Sequence, residues 1–152
     1  MIIAVEDLMK TAVVRQVQGM TFTGKADSNH WVAMDGSLAE GGSAAATSPK
    51  EIVLVGLGGC TGMDVASILK KKRVQLDSFE VHISAEEATD FPKIFTKIHI
   101  EYILQGKNIR ASDVERAIEL SQTKYCSVTA MLSKSAEISH SYKIENAGTL
   151  KS

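Results

Sequence analysis

The segment from Ser48 to Arg73 constrains this chain more than any other. It opens on Ser48-Pro49-Lys50-Glu51: serine as N-cap, proline at the first helical position, and glutamate three residues on to complete a capping box. Ile52-Val53-Leu54-Val55 follows with no polar face, which predicts that this first stretch of the helix is buried. Gly56, Gly58 and Gly59 each weaken a helix by roughly 1 kcal/mol relative to alanine. Their clustering predicts either a break just before Cys60 or very close packing against another backbone. Met63, Ala66, Ile68 and Leu69 resume the helical period, and Lys70-Lys71-Lys72-Arg73 supplies cations suited to a helix C-terminus.

Around this helix the pattern is mostly strand. Val13 to Val17 and Met20 to Thr23 flank the turn Gln18-Gly19, and Trp31 to Met34 is ended by Asp35-Gly36. Gly41 to Thr47 is a connector of small residues, expected to be mobile. Phe79, Val81 and Ile83 alternate with polar residues. Ile94, Thr96, Ile98, Ile100, Tyr102 and Leu104 do the same, with Lys97, His99 and Glu101 on the opposite face and Phe91-Pro92 marking the turn between the two strands. Ser112-Asp113-Val114-Glu115 reads as a second capping box. Val114, Ala117, Ile118, Ser121, Tyr125, Val128 and Leu132 then trace one face of a single helix, with Cys126 beside it. Glu137 to Ile144 makes a last strand. The order predicts an α+β fold in which the two long helices each cover one face of an antiparallel sheet.

Hydrophobic residues make up 44% of the 152, enough for one core. The expectation is a single domain over residues 1–152, with a strand region at about 1–47 and a helical and sheet core at about 48–145. The 17 basic and 18 acidic residues nearly cancel, so no charge bias points to nucleic acid or to an acidic membrane surface. Met1 to Asp7 carries no basic segment before an apolar run, and no apolar stretch approaches the ~20 residues of a membrane span. The expected compartment is the cytosol, where a cycling disulfide is more plausible than a permanent one.

Cys60 and Cys126 are the two cysteines, each placed where a helix is expected to begin or turn. A thiolate is the strongest nucleophile a side chain offers, and a second thiol in reach converts one oxidation into a disulfide cycle. The competing reading is two buried cysteines packing as small hydrophobes. Glycines beside Cys60 favour the first, because exposed amides stabilise an anion. Glu51 has a sufficient role as the capping partner of Ser48. Its other possible role is to orient a long cationic side chain over Cys60, since an unbroken helix separates the two by roughly 14 Å. His30, His82, His99 and His140 have no metal-ligand spacing with one another or with the cysteines, so neither a metal nor a cofactor is called for. Asp64 is assigned to supporting a helix N-terminus.

The segments Ser48 to Leu54, Gly56 to Val65, Ser121 to Val128, Thr96 to Ile100 and His140-Ser141-Tyr142 closely resemble the family of osmotically inducible protein C and organic hydroperoxide resistance proteins. The resemblance runs from about Gly19 to Ile144. It implies an OsmC-like intertwined homodimer, with antiparallel sheets enclosing two central helices per chain and active sites at the subunit interface. It also implies reduction of organic hydroperoxides in oxidative stress defence. Cys60 would be the peroxidatic and Cys126 the resolving cysteine, and a dithiol of the lipoyl type would reset the disulfide. Glu51 would be the activating carboxylate, one place later than in the family, where it directly follows the proline. The family's activating arginine has no clean match: Lys25 falls nearest, and Arg15 is the one arginine before Cys60. Lysine lacks arginine's bidentate fork. The alternative is a non-catalytic dimer that senses oxidants or binds an apolar ligand.

Overall fold

The structure, a computed structural model, describes residues 9–146. The chain forms two compact units, one before Leu54 and one from Leu54 onward.

In the first unit, β1 (Ala12–Gln18), β2 (Thr21–Ala26) and β3 (Val32–Met34) form an antiparallel sheet in that order. Gly19 takes φ +55° in the β1–β2 turn, a conformation open to glycine at little cost. The connector after β3 is pinned rather than mobile. The Asp35 carboxylate, 2% exposed, accepts the Ser43 amide at 3.2 Å, the Ser43 hydroxyl at 2.5 Å and the Ala45 amide at 3.0 Å. Gly42 lies against the Gly36 carbonyl so closely that a Cβ there would overlap it. Small residues at 41–47 thus permit close packing around a buried acid, which composition alone cannot distinguish from slack.

Helix α1 (Pro49–Lys71) opens on the expected box, with Glu51 accepting the Ser48 amide at 2.7 Å and the Ser48 hydroxyl accepting the Glu51 amide at 3.3 Å. It then runs unbroken through the glycines, so Cys60 lies in mid-helix rather than at a start. Space does not explain the cluster: a Cβ added at Gly56 or Gly59 would meet nothing and one at Gly58 would make ordinary contact with Ile83 at 3.5 Å, while Val81 comes closer to Gly62, at 3.3 Å. These neighbours are strand side chains, not a second backbone. At 23 residues α1 is long and apolar enough by itself to cross a membrane, contrary to the expected absence of such a segment. Its Leu57, Thr61, Val65 and Leu69 stripe, spaced by four, is fully buried in the core of the second unit. The rest of its apolar surface is not: Val53, four residues before Leu57, is 40% exposed, and Val55 and Met63 are 68% and 76% exposed, so the apolar opening is less covered than its sequence predicts.

The second sheet has the order β4 (Leu76–Glu87), β5 (Phe95–Gly106), β6 (Glu137–Asn146). β4 and β5 pair antiparallel, whereas β6 lies parallel to β5, with Tyr102 opposite Tyr142. The mixed sheet corrects the antiparallel expectation. A helical crossover between β5 and β6 returns the chain to the end where β5 began, which only a parallel partner can use. Ile98, Ile100, Tyr102 and Leu104 of β5 are buried on one face, and both helical segments pack there rather than one on each face.

The crossover itself is interrupted. Helix α2 (Ala111–Leu120) gives way to a π turn at Ser121–Tyr125, and α3 (Ser127–Leu132) restarts beyond Cys126. Arg110, with no side-chain cap bond, precedes α2, so the second capping box does not form. Asp113, 4% exposed, is instead held by Lys72 at 2.9 Å and Arg110 at 2.8 Å, and hydrogen bonds from these cations, Lys72 foremost, keep its carboxyl below the usual range. A depressed folded value means stability that is present above the ordinary carboxylate range and lost as pH falls through the folded value. Asp113→Asn should therefore lower the melting temperature at neutral pH, with the gap to the parent closing in strong acid. A gap independent of pH would assign Asp113 to packing alone.

Candidate active site

Cys60 and Asp64 lie one turn apart on α1, and Cys126 comes from the junction between the π turn and α3. Both cysteines are free thiols, Cys60 half-buried and Cys126 buried. The two sulfurs and a carboxylate oxygen of Asp64 all lie within 4.8 Å of one another. The sequence-predicted pair therefore meets. Asp64, assigned above to a helix N-terminus, sits in mid-helix beside it.

The π turn is what carries Cys126 inward. Its amide donates to the Ser121 carbonyl at 2.9 Å, five residues back, so one extra residue enters the turn. A regular helix would have pointed Tyr125 into the core with Ser121. The added residue leaves Tyr125 49% exposed and Cys126 3% exposed. Cys126 then adopts an extended backbone, φ −72° and ψ 100°, and caps α3 with sulfur in place of the usual oxygen, accepting the Thr129 amide at 3.4 Å. Burial pushes the Cys126 thiol up, as does its neighbour Cys60, while the Thr129 hydroxyl and amide favour the thiolate. The Thr129 hydroxyl is otherwise buried without an oxygen or nitrogen partner. Its one evident use is as a donor to that sulfur when charged. In a Cys60→Ser background, Thr129→Val should slow alkylation of Cys126 about tenfold at fixed pH, since a hydrogen bond to a charged group contributes about 1.5–3 kcal/mol. An unchanged alkylation profile would leave the hydroxyl without a role in the site.

Beneath the sulfurs lies a polar network that sequence reading missed. Ser121 donates its hydroxyl to Asp64 Oδ2 at 3.1 Å. Its contact with Thr61 Oγ1, at 2.9 Å, must then be one in which Thr61 donates. With that proton committed, Thr61 accepts from the Tyr102 hydroxyl at 2.5 Å and from Gln122 Nε2 at 3.1 Å. Gln122 also donates to the Tyr102 oxygen at 2.8 Å. Counting protons fixes one direction for the chain: Tyr102 to Thr61 to Ser121 to the Asp64 carboxylate. Burial pushes the Tyr102 phenol up, in keeping with a neutral donor. Its signal in the sequence was weak but present. Tyr102 and Ser121 occupy inward positions of a strand and a helix, and a buried hydroxyl needs a partner.

The remaining candidates have local partners of their own. Glu51 holds the Ser48 amide, and that hydrogen bond keeps its carboxyl below the usual range. Lys25 donates to Asn29 Oδ1 at 2.5 Å and lies 5.2 Å from the Trp31 ring centre, with the Arg15 guanidinium 5.7 Å from the same ring. His82 pairs with Glu80 at 2.7 Å, and His99 contacts Ser139 and Ser141, both as strand-face residues.

Three comparisons place this arrangement among known proteins. Residues 41–141 match the family model described as OsmC-like protein. Protein YhfA of Escherichia coli strain K12 is 41% identical over 133 residues, 88% of this chain and 96% of its own. Among solved structures, a hypothetical protein from Aquifex aeolicus VF5 superposes with a TM-score of 0.76 at 32% identity, covering 90% of this chain and 98% of its own. An organic hydroperoxide resistance protein from Legionella pneumophila, at 11% identity, shares the fold with a TM-score of 0.66 over 88% of this chain and 96% of its own. The match to about two thirds of the sequence, together with relatives this similar along nearly their whole length, means that the chain belongs to the OsmC-like protein family.

Proposed function

We propose that this chain is a thiol-dependent peroxidase for organic hydroperoxides, acting in oxidative stress defence in the cytosol. One observation carries the reading: two free thiols from separate elements, within 4.8 Å of one another around a half-buried entry at Cys60. The Cys60 thiolate attacks the distal oxygen of ROOH, the O–O bond breaks, and the alkoxide takes a proton to leave as ROH. Cys60 is then a sulfenic acid. Cys126, kept neutral by burial, gives up its proton as its sulfur bonds to Cys60, and the sulfenic hydroxyl departs as water. A dithiol of the lipoyl type returns both sulfurs to thiols and becomes a disulfide itself. Resolution suits Cys126 because it is the less accessible sulfur, shielded from a second peroxide. Family neighbours described as organic hydroperoxide resistance proteins support the substrate class.

The exposed apolar side of α1, with Val55 and Met63, supports assembly as a homodimer. That surface and Met131, 63% exposed, would offer contacts to a carbon-bearing peroxide rather than to hydrogen peroxide. Glu51 would have the role the family resemblance gives it, orienting a cation. The decisive assay follows tert-butyl hydroperoxide in the presence of excess dihydrolipoamide. Many peroxides consumed per chain support the enzyme. A single equivalent consumed, with no further turnover, would instead support the alternative, a sensor that oxidises once.

A further inference from the structure

Asp64 is an unexpected neighbour for a pair of redox thiols. Three groups that can each carry a negative charge repel one another at such short range when ionised. Among the described residues no lysine, arginine or histidine forms an ion pair with Asp64; its hydrogen-bond donor is the Ser121 hydroxyl. Three anionic or potentially anionic groups thus converge with no cation among them. A divalent metal ion reverses every one of these repulsions.

We propose that the reduced chain binds one Zn²⁺ through Cys60 Sγ, Cys126 Sγ and the Asp64 carboxylate. The donor set is two soft sulfurs and one oxygen, which suits zinc rather than calcium or magnesium. On a tetrahedral zinc such ligand atoms lie about 3.5–3.8 Å apart, so groups already within 4.8 Å need to close by roughly 1 Å at most. Two ligands one turn apart on α1 stay in register through the rigid helix, and the third arrives on the π turn. The supporting contacts are in place. Ser121 orients the carboxylate, the Thr129 amide donates to Cys126 Sγ, and the buried, unpartnered Thr129 hydroxyl lies in wait for the same sulfur. Cys60 and Asp64, both half-buried, give the ion a way in. Binding releases the two thiol protons to solvent and leaves a fourth coordination position open. It also ties up the sulfur electron pairs that would attack a peroxide, so zinc and peroxide compete for the same thiolates. The binding itself does not depend on the peroxidase reading.

The test is anaerobic titration of the reduced, chelator-stripped full chain with Co²⁺, followed by Zn²⁺. One Co²⁺ per chain should appear with thiolate-to-cobalt charge-transfer bands, which one equivalent of Zn²⁺ erases. Asp64→Asn keeps an oxygen for Ser121 to donate to, and it should weaken Zn²⁺ binding about 100-fold or more, since loss of even an outer-shell partner costs about 10- to 100-fold. Absence of charge-transfer bands in the parent chain at millimolar Co²⁺ overturns the proposal, as does unchanged affinity in the variant. Counting thiols after peroxide treatment of the same metal-free sample separates the two readings. Thiols lost without a cobalt spectrum removes only the zinc site, and a cobalt spectrum with thiols that survive peroxide removes only the peroxidase.

Discussion

Cys60→Ser should abolish hydroperoxide reduction, with a loss of roughly a thousandfold or more, the scale seen when an enzyme loses its nucleophile. A serine hydroxyl is not appreciably ionised near neutral pH and does not attack an O–O bond, and no second thiol has comparable access, because Cys126 is 3% exposed. Cys126→Ser should behave differently. It retains the first step, consumes one peroxide per chain and stops with Cys60 heavier by one oxygen atom, readable by intact mass. The contrast matters more than either loss alone. Equal, complete inactivity in both variants would mean that Cys126 acts before the sulfenic acid forms, in conflict with its assigned part.

The second large effect concerns stability. Thr61→Val keeps the shape of a fully buried side chain but removes the hub of the network. Tyr102 loses its acceptor and Ser121 its donor, inside a core where no water replaces them. Each stranded group costs about 1–3 kcal/mol, so roughly 2–4 kcal/mol is expected, partly relieved by the surviving Gln122–Tyr102 bond. Urea denaturation of the reduced chain measures it directly. Tyr102→Phe, which removes the first link of the chain and leaves Thr61 with Gln122 and Ser121, should cost less. If Thr61→Val proves neutral, the hydroxyls are not coupled in the way proton counting assigns.

How far the sequence reached depended on how local each signal was. The capping box at Ser48 and Glu51 was legible because its partners lie three residues apart. The alternation of Ile98, Ile100, Tyr102 and Leu104 was legible because a strand has a period of two. What failed was non-local or aperiodic. The parallel pairing of β6 is decided by where the crossover ends, which no residue of β6 announces. The π turn breaks the 3.6-residue period by a single residue, so the helical face that included Tyr125 was wrong and Cys126, read as lying beside that face, is the residue turned inward. The glycines at 56, 58 and 59 suggested a break or a second backbone, whereas the helix runs on and the neighbour at Gly58 is a β4 side chain in ordinary contact. Asp64 was misassigned because its one hydrogen-bond donor, Ser121, lies in another element. The resemblance correctly placed the chain in its family, and the two cysteines it singled out are the pair the fold brings together. Its activating arginine has no clean match in the sequence, and the candidate cations Lys25 and Arg15 both lie over Trp31.

The central claim is that Cys60 and Cys126 form one redox unit. A disulfide needs sulfurs about 2.0 Å apart, so sulfurs within 4.8 Å must close by at most roughly 2.8 Å. The direct measurement is peptide mapping of the reduced, metal-free chain after one equivalent of cumene hydroperoxide. The account predicts an intramolecular Cys60–Cys126 disulfide and no remaining free thiol. Two intact thiols, or disulfides joining separate chains only, would contradict it.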